Sequence, residues 1–598
     1  MKKELIYKIL GCIIVSLLII SSGFMIYNLY LLANIETFYR IMLSILLLLF
    51  SITLVYSVIE SIKKLKKKKF IISTILSIIL SIILVVASYY VYRVYLGLGN
   101  LNKDEITYTT KLISMSDLKL NDIKNKKIGL LSIEEDITGY ILPKEIIEKE
   151  NLDKDNEIIS YQDNITLMTA LINNEVDLIF ISDNYDQMLR SVSGYENNTV
   201  IYEITSLKKS YKKKDNTLGN VSGKKITKPF TMLLLGIDSE KDDIRKSSSF
   251  NGDTIMMITF DPETLNATMF SIPRDTYVTM ACGGRITKIN HASWGGTSCM
   301  VKTVEKLTGI NIDYYAKINF KGVVDLVNIL SGITVDVPVK FCEQNSDREW
   351  GDKTICLDTG VQKLDGEEAL ALARHRKTLP LGDFQRGQNQ QLVVEGMIGS
   401  LKNVRKVEDF YKILDTIGKN MDTNMTTEEM LSFYNIGKNM LLKNGDVNLN
   451  ITKTFLTGYD QYITVGNSKS YTFQYYKQSL AEIVKAMKIN LGLLEKEEIK
   501  TFSFDFNNPY EKKIIGKTYY RDEPRVKLMP NLSSYTLEEA KSWASANGFT
   551  LTVKESLTEN EAYNDDQIIN QSLKEGALLE GADKNITITV ARKTNVDN

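Results

Sequence analysis

Three long apolar stretches within the first hundred residues constrain the fold of this chain more than any other feature. They run from about Ile9 to Leu32, from Ile41 to Ile59 and from Phe70 to Val91. Each has roughly the twenty residues that a helix needs to cross a hydrocarbon layer about 30 Å thick. Residues 1–95 are therefore predicted to form three transmembrane helices.

The lysines predict which way these helices cross the membrane. Lys2 and Lys3 precede the first stretch, and a lysine-rich segment, residues 62–69, separates the second from the third. The linker between the first two, residues 33–40, carries little positive charge. By the positive-inside rule, the N-terminus is expected in the cytoplasm and everything after about Tyr95 outside. A cleaved signal peptide is the alternative for the first stretch, but its length and the second stretch that follows it argue against that reading.

The cysteines agree with an exported C-terminal part. Cys12 lies in the first apolar stretch, and the other four form two closely spaced pairs, Cys282 with Cys299 and Cys342 with Cys356. An even number of exported cysteines at short separations predicts disulfides, each worth about 3 kcal/mol in the chain-entropy model. A zinc site is the alternative, but neither pair has CxxC spacing and the chain has only two histidines.

The exported part, roughly 500 residues, is long enough for two to four domains. Residues 100–215 are predicted to form a small extracellular accessory α/β domain, because short buried strands alternate with a helix over residues 164–173. We find no catalytic constellation in it. The basic run that follows, Lys208–Lys214, is interpreted as a solvated linker. Equal numbers of basic and acidic residues, 73 each, leave no basic excess that would favour nucleic acid as a partner.

Residues 228–494 are predicted to form the largest domain, an α/β (α+β) fold with a central mixed sheet flanked by helices. Candidate site residues lie where its predicted strands begin or end. Asp238 follows the strand Phe230–Leu235, Asp253 begins the next strand, and Arg274 follows the third. Ligand sites in sheets of this type lie at strand ends, so these side chains are expected to lie together.

The predicted helices of the same region add further candidates. A helix over residues 364–373 runs into Arg374 and Arg376, and Arg386 and Gln390 are four apart, so they share a face of another helix. Arg374 and Arg376 can reach one ligand only if their helix ends just before them, because residues two apart point about 200° from each other. Solvated arginines at a helix C-terminus are the alternative.

These residue types predict a site for a polyanion and a divalent metal. Asp238 and Asp253 offer hard oxygen ligands suited to Mg²⁺, with Mn²⁺ as the alternative ion, and Mg²⁺ completes its shell with water and phosphate oxygens. A turn cap is the alternative role for Asp238. Arginine matches phosphate oxygens through two parallel hydrogen bonds. Asp275 is expected to orient an arginine or a loop, and His375 is not expected to act as a base, because the arginines beside it would lower its pKa.

The same segments, in the same order, resemble the LytR–CpsA–Psr family. They are Leu234–Asp238, Gly252–Thr254, Ser271–Val278, Lys288–Ala292 with Gly295–Gly296, Ala373–Arg376, and Gly382–Arg386 with Gln390–Gln391. The resemblance implies a multi-pass phosphotransferase in the plasma membrane of a Gram-positive-type bacterium, with its large C-terminal part extracellular. Such an enzyme moves a glycopolymer, such as capsule or teichoic acid, from a polyprenyl-pyrophosphate carrier to peptidoglycan with a divalent ion. Pyrophosphatase is the side activity that the resemblance implies.

The resemblance also implies roles for the candidate residues. Asp238 and Asp253 would hold the metal, and the substrate would be bound by Arg274, Arg374, Arg376, Arg386 and Gln390. Arg274, Arg374, Arg376 and Asp253 would be catalytic, with Asp253 as the candidate base. An apolar tunnel for the polyprenyl tail would be lined by Ile318, Phe320, Val323, Val324, Leu326, Val327 and Leu330, for which ordinary core packing is the alternative.

The chain departs from the family pattern at three places where basic contacts are usual, namely Asn251, Ser239–Glu240 and Asn389. Weaker phosphate binding or a differently shaped donor is the expected consequence, unless Arg245 substitutes. The alternative function is therefore a non-catalytic envelope scaffold or sensor that binds lipid phosphate and peptidoglycan. A transcriptional attenuator is disfavoured, because the predicted spans and disulfides place this region outside the cell.

Residues 526–592 resemble a single PASTA repeat. The matching segments are Met529–Ala540, Gly548–Val553, Gln567–Ser572, Gly576, Gly581 and Ile586–Val590. The resemblance implies an α+β domain of one helix packed on three short strands, and Leu573 stands where the family usually has proline. It also implies docking to peptidoglycan, with a structural spacer as the alternative.

Overall fold

The computed structural model describes residues 2–32, 37–99, 105–189, 199–212, 226–237, 250–379, 382–401, 407–433, 450–465, 468–495, 497, 501–503, 513–515, 519–558 and 563–593. Among them, three helices are long and apolar enough to cross a membrane, as predicted: α1 (Lys2–Leu31), α2 (Thr37–Lys63) and α3 (Lys67–Gly99). Met25, Leu29 and Leu84 pack between them, and outward side chains such as Ile20 stay exposed, as lipid contact requires.

The accessory region folds into a mixed sheet with helices. Its elements are β1 (Glu105–Ser114), β2 (Lys127–Leu131), α4 (Leu142–Glu150), β3 (Glu157–Tyr161), α5 (Asn164–Ile172), β4 (Leu178–Ser182), α6 (Tyr185–Leu189) and β5 (Tyr202–Lys212). The strand order is β3-β2-β4-β1-β5, and β2 runs parallel to β3 and β4. Leu178 and Phe180 pack into one core and Ile179 and Ile181 into another, so β4 is buried on both faces.

The interpretation of the basic run Lys208–Lys214 as a linker is wrong over its described part. Residues 208–212 continue β5, and Lys212 lies opposite Glu105 at the end of a ladder with β1. Strands β1 and β5 are difficult to predict from the sequence, because polar residues alternate along both and neither has a continuous run of apolar side chains. Lys209 also forms an ion pair with Glu145 of α4.

The largest region, predicted over residues 228–494 and called the catalytic region after its predicted role, is built on a mixed sheet, as predicted. Its elements are β6 (Phe230–Ile237), β7 (Gly252–Asp261), β8 (Asn266–Ser271), β9 (Tyr277–Thr279), β10 (Ile286–Lys288), α7 (Gly296–Thr308), β11 (Tyr314–Asn319), α8 (Phe320–Ile329), β12 (Ile333–Val337), β13 (Phe341–Glu343), β14 (Ile355–Leu357), β15 (Gly360–Leu364), α9 (Gly366–Arg374), α10 (Asp383–Leu401), α11 (Val407–Asn420), β16 (Met421–Thr423), β17 (Asn450–Phe455), β18 (Gly458–Val465), β19 (Ser468–Tyr475), α12 (Lys477–Asn490), β20 (Thr501–Ser503) and β21 (Lys513–Ile515). The order β16-β11-β6-β7-β8-β17 places β6, β7 and β8 at the centre.

Both predicted disulfides are present. Cys282 is bonded to Cys299, which ties the segment after β9 to α7, and Cys342 is bonded to Cys356, which joins β13 to β14. The second bridge fixes a two-stranded hairpin at one side of α9, against which both strands pack.

The accessory and catalytic regions share part of a hydrophobic core. Trp294, which lies just before α7, is buried among accessory side chains that include Leu131 and Leu167. Next to it, the guanidinium of Arg285 lies 2.5 Å from the carboxylate of Asp163, the residue that caps α5. Apolar burial and a part-buried ion pair therefore hold the two regions together.

The C-terminal region has the predicted composition of one helix and three strands. It contains α13 (Leu537–Ala546), β22 (Thr550–Thr558), β23 (Ile568–Gln571) and β24 (Asn585–Lys593), with strand order β22-β24-β23. A capping box of Thr536 and Glu539 starts the helix.

Candidate active site

Asp253 lies at the start of β7 and is the centre of a cluster of arginines. The guanidinium of Arg274 donates to Oδ1 of Asp253 at 2.5 Å, and that of Arg386 donates to the backbone oxygen of Asp253 at 3.3 Å. Arg274 comes from the loop after β8, and Arg386 from the first turns of α10. Two neighbouring strands and one helix thus direct their charges to one point, as expected for ligand sites at strand ends.

A second layer of carboxylates holds the arginines in place. Asp383 lies 2.5 Å from Arg386 and 3.9 Å from Arg376, and it accepts from the backbone N–H of Arg274 at 3.2 Å. Asp275 lies 3.9 Å from Arg376 and 3.8 Å from Arg274. Asp275 therefore contacts both arginines, and its role in orienting them stays a prediction.

Burial by itself would raise the pKa of Asp253, but the guanidinium groups of Arg274, Arg386 and Arg376 outweigh it and lower the pKa below its usual value. The carboxylate is therefore ionised at neutral pH. An ionised, buried carboxylate is an oxygen donor that fits Mg²⁺, which usually takes one or two protein carboxylates. Among the described residues no group of three or more His, Cys, Asp or Glu side chains that could hold a metal occurs.

Arg376 and Arg374 face different surroundings. The side chain of Arg376 is 40% exposed and is the most accessible of the three arginines around Asp253. The guanidinium of Arg374 lies 4.9 Å from the centre of the Phe320 ring and donates to the backbone oxygen of Asn345 at 3.1 Å. The structure therefore brings Arg274, Arg376 and Arg386 together and places Arg374 beside α8, the helix predicted to line the lipid tunnel.

The chain turns sharply between these two arginines. Helix α9 ends at Arg374, and His375 is extended, with φ −59° and ψ 131°. His375 is buried, with Nδ1 3.0 Å from the carboxylate of Glu343 and its ring stacked on Phe341, both in β13. The helix thus includes Arg374 and ends before Arg376, and the two guanidinium groups contact different residues.

Helix α10 forms the wall of the site opposite β7. Arg386 and Gln390 lie on one face, as predicted, and line a cleft together with Asp253, Pro273 and Phe455. Gln390 donates to the backbone oxygen of Ala373 at 3.2 Å and so ties α10 to the end of α9. The contact shows how Gln390 supports the arginine segment, while a direct substrate contact stays a prediction.

The departures from the family pattern have different structural settings. Asn251 accepts a hydrogen bond from the indole N–H of Trp294 at 3.2 Å. Asn389 is fully buried, and its amide has no hydrogen-bond partner within the described residues. Asp238, Ser239–Glu240 and Arg245 lie outside the described residues.

The predicted tunnel residues divide into two groups. Val327 and Leu330 are buried, and Val327 belongs to the core between α8, β12 and α9. The others are only partly buried: Ile318, Phe320, Val323, Val324 and Leu326. This second group is compatible with a lipid-contacting surface, which stays a prediction.

Two charged residues around Asp253 were not singled out from the sequence. Asp383 lies within the segment that carried the resemblance, three residues before Arg386, a spacing that places the two on one helix face. Lys288 also lies within such a segment, and its ammonium is 3.1 Å from Asp275. The contacts of Asp383 and Lys288 with residues on other elements could not be predicted from the sequence of either segment.

The fold and this cluster define a membrane-anchored protein with an arginine-rich anion site at the edge of a mixed sheet. Comparison with known proteins identifies the class: residues 195–489 match the LytR_cpsA_psr family and residues 527–592 the PASTA domain. The polyisoprenyl-teichoic acid–peptidoglycan teichoic acid transferase TagT of Bacillus subtilis is 32% identical over 265 residues, which are 44% of this chain and 77% of TagT. The chain therefore belongs to the LytR–CpsA–Psr family.

The chain is also similar to TagV of Bacillus subtilis, which is likewise named a polyisoprenyl-teichoic acid–peptidoglycan teichoic acid transferase. It is 34% identical over 267 residues, which are 44% of this chain and 65% of TagV. The crystal structure of TagV matches with a TM-score of 0.38 at 33% identity, covering 44% of this chain and 98% of that one.

Proposed function

We propose that the protein is a membrane-anchored phosphotransferase that moves a glycopolymer from a polyprenyl-pyrophosphate carrier to peptidoglycan. The observation that carries the proposal is the convergence of Arg274, Arg376 and Arg386 on the ionised Asp253. Membership of a family whose relatives are teichoic acid transferases supports the substrate class. The three apolar helices support a location in the plasma membrane, with the catalytic and PASTA regions outside.

In this proposal the arginines bind and orient the pyrophosphate. Arg376, the most exposed, reaches the phosphate directly, and Arg274 is held by Asp253 and Asp275 so that its guanidinium is fixed before substrate arrives. Fixed cations cost no reorganisation when charge develops on the leaving group, which is the main source of catalysis in phosphoryl transfer. Mg²⁺, held by Asp253 and Asp238, would supply further neutralisation of phosphate charge.

The covalent step is a displacement at phosphorus. A sugar hydroxyl of peptidoglycan bonds to the phosphorus that carries the glycopolymer, and the bond to polyprenyl phosphate breaks. The oxygen of the departing polyprenyl phosphate leaves with the bonding electron pair and accepts the proton of the hydroxyl. Asp253 was the candidate acceptor for that proton. Its lowered pKa makes it a weak base, so we assign it to holding the arginines and the metal.

Phosphotransfer is tested with the purified full-length protein in lipid nanodiscs. The donor is a polyprenyl-pyrophosphate-linked glycopolymer and the acceptor is peptidoglycan, with and without Mg²⁺. We expect Mg²⁺-dependent release of polyprenyl phosphate and labelled polymer on the wall fraction, and a loss of 10²-fold or more in Arg376→Ala. Lys377→Ala, a substitution of the neighbouring exposed cation, serves as the control.

Tight binding of the donor without turnover in any metal would contradict this proposal and support the scaffold or sensor. Retained turnover in Arg376→Ala would contradict the assignment of that residue. In either case, binding of purified peptidoglycan by the PASTA region is a separate measurement.

A further inference from the structure

The hairpin of β18 and β19 connects the arginine cluster to the PASTA region. At one end, the backbone N–H of Phe473 donates to the backbone oxygen of Asp275 at 2.9 Å, and Phe473 and Tyr475 pack against the core of the catalytic region. At the other end, the backbone N–H and hydroxyl of Thr464 donate to the backbone oxygens of Gly576 and Glu575, at 2.8 and 2.7 Å. One short element thus touches both the site loop and the PASTA region.

The approach at Gly576 is close enough to require glycine. Its φ of +78° is unfavourable for other residues, and an added Cβ would lie 2.7 Å from the hydroxyl of Thr464. The PASTA region is therefore seated on the hairpin through its own main-chain oxygens, which accept from the backbone and the hydroxyl of Thr464.

Between these two ends lies an exposed pair of tyrosines. Tyr462 and Tyr471 are directly opposite in the antiparallel register, so they share a face, and their rings are 5.7 Å apart. Tyr462 is 60% exposed, whereas Tyr471 is half-buried. The Tyr471 hydroxyl donates to Asp460 at 2.7 Å, which fixes the ring.

This tyrosine face lies beside the arginine cluster. The ammonium of Lys288 lies 5.9 Å from the centre of the Tyr471 ring and 3.1 Å from Asp275, which itself contacts Arg274 and Arg376. From Phe473 to Lys469, opposite Thr464, four residues of extended strand span about 14 Å. A ligand on the face can therefore reach from the arginines towards the PASTA region.

We propose that the Tyr462–Tyr471 face is the subsite that holds the saccharide acceptor, a glycan strand, during transfer. An exposed aromatic face rimmed by polar groups fits the alternation of C–H surfaces and hydroxyls on a sugar chain, since tyrosine offers an apolar ring with a polar edge. Asp460, Lys288 and Lys469 supply that polar rim. The face extends from the arginine cluster to the PASTA region. A ligand that both regions hold at once must be a polymer. The inference rests on the proposed transfer reaction.

The test compares Tyr462→Ala with Tyr519→Ala in the full-length protein. Tyr519 is a similarly exposed tyrosine, 52% accessible, whose ring contacts Tyr476 instead of this face. With glycan fragments stripped of stem peptides as the acceptor, we expect Tyr462→Ala to raise the acceptor KM about tenfold or more. The donor KM and the acceptor-free release of polyprenyl phosphate should stay within twofold, and Tyr462→Trp should restore the acceptor KM.

An acceptor KM in Tyr462→Ala equal to that in Tyr519→Ala would overturn the subsite, as would a dependence on Tyr462 that appears only with free stem peptides. Direct binding of the stripped glycan fragments, measured by the chemical shifts of the Tyr462 ring, separates this inference from the proposed function. If these shifts are seen in a protein that does not turn over the donor, the proposed transfer activity is contradicted and the glycan subsite is supported. If the donor is turned over but the shifts are absent, the transfer activity is supported and the glycan subsite is contradicted.

Discussion

At the scale of single residues, the site is ordered by pairs of opposite charge around Asp253. Arg274 and Arg386 are each held by a carboxylate at 2.5 Å, whereas the ion pairs that Arg376 forms with described residues are at 3.9 Å and its side chain remains accessible. The sequence predicted these arginines because they occur in short motifs. It could not separate Arg374 from the others, because that depends on where α9 ends and on the Phe320 ring beside it.

His291 provides a prediction at this scale. Burial, with smaller effects from Lys288, Arg285 and Arg274, lowers its pKa to about 3. Because the unfolded chain takes up a proton near pH 6.5 and the folded chain does not, stability is full above that pH and falls as the pH drops towards 3. We expect a loss of about 2 kcal/mol from this residue between pH 7 and pH 5.

Thermal unfolding of the wild-type protein and of His291→Gln at the two pH values measures this loss. The variant should show a smaller drop in Tm on acidification, even if it is less stable at pH 7. Equal drops in both proteins would mean that His291 is not the titrating group.

At the scale of elements, the hairpin of β13 and β14 acts as a support for the arginine segment. The Cys342–Cys356 bridge joins its strands, Glu343 holds His375, and the Asn345 carbonyl accepts from Arg374. The spacing of the cysteines predicted the bridge, but the sequence gives no sign that the hairpin packs beside α9. That arrangement depends on contacts between segments about thirty residues apart.

Glu343→Ala tests this support. Removal of the carboxylate releases His375, and with it the turn that directs Arg376, so we expect transfer to fall by roughly 10- to 100-fold through kcat, since small misplacements of a catalytic group are costly. Asp358, a carboxylate just after β14 that is 77% exposed, provides the matched control, and Asp358→Ala should leave kcat unchanged.

A double variant decides whether the effect passes through the arginine. If Glu343 acts by positioning Arg376, Glu343→Ala should cost little more in an Arg376→Ala background. Full additivity of the two losses would refute that role.

At the scale of the whole molecule, Trp294 joins two regions that the sequence presents as separate. Its indole ring lies in the accessory core while its N–H holds Asn251, two residues before Asp253. The boundaries of the regions were predicted from composition and pattern. A single buried ring in a short 3-10 helix leaves no periodic pattern from which such an insertion could be predicted.

Trp294→Ala is expected to destabilise the protein by about 3–5 kcal/mol, because it leaves a large cavity in the shared core. In the wild type the shared core is expected to make the accessory and catalytic regions unfold together, whereas calorimetry of the variant should resolve a separate transition for the accessory region. Trp350→Ala, which removes an indole that is 52% exposed, should keep the wild-type transition. A single unshifted transition in Trp294→Ala would contradict the coupling.

The insertion of Trp294 also limits how this architecture can be recombined. A genetic exchange that moved residues 228–494 without residues 105–212 would leave the indole ring in water and the accessory core with a hole. The two segments are therefore expected to be inherited as one block. The PASTA region, whose main-chain oxygens at Glu575 and Gly576 accept hydrogen bonds from Thr464, is the easier part to exchange.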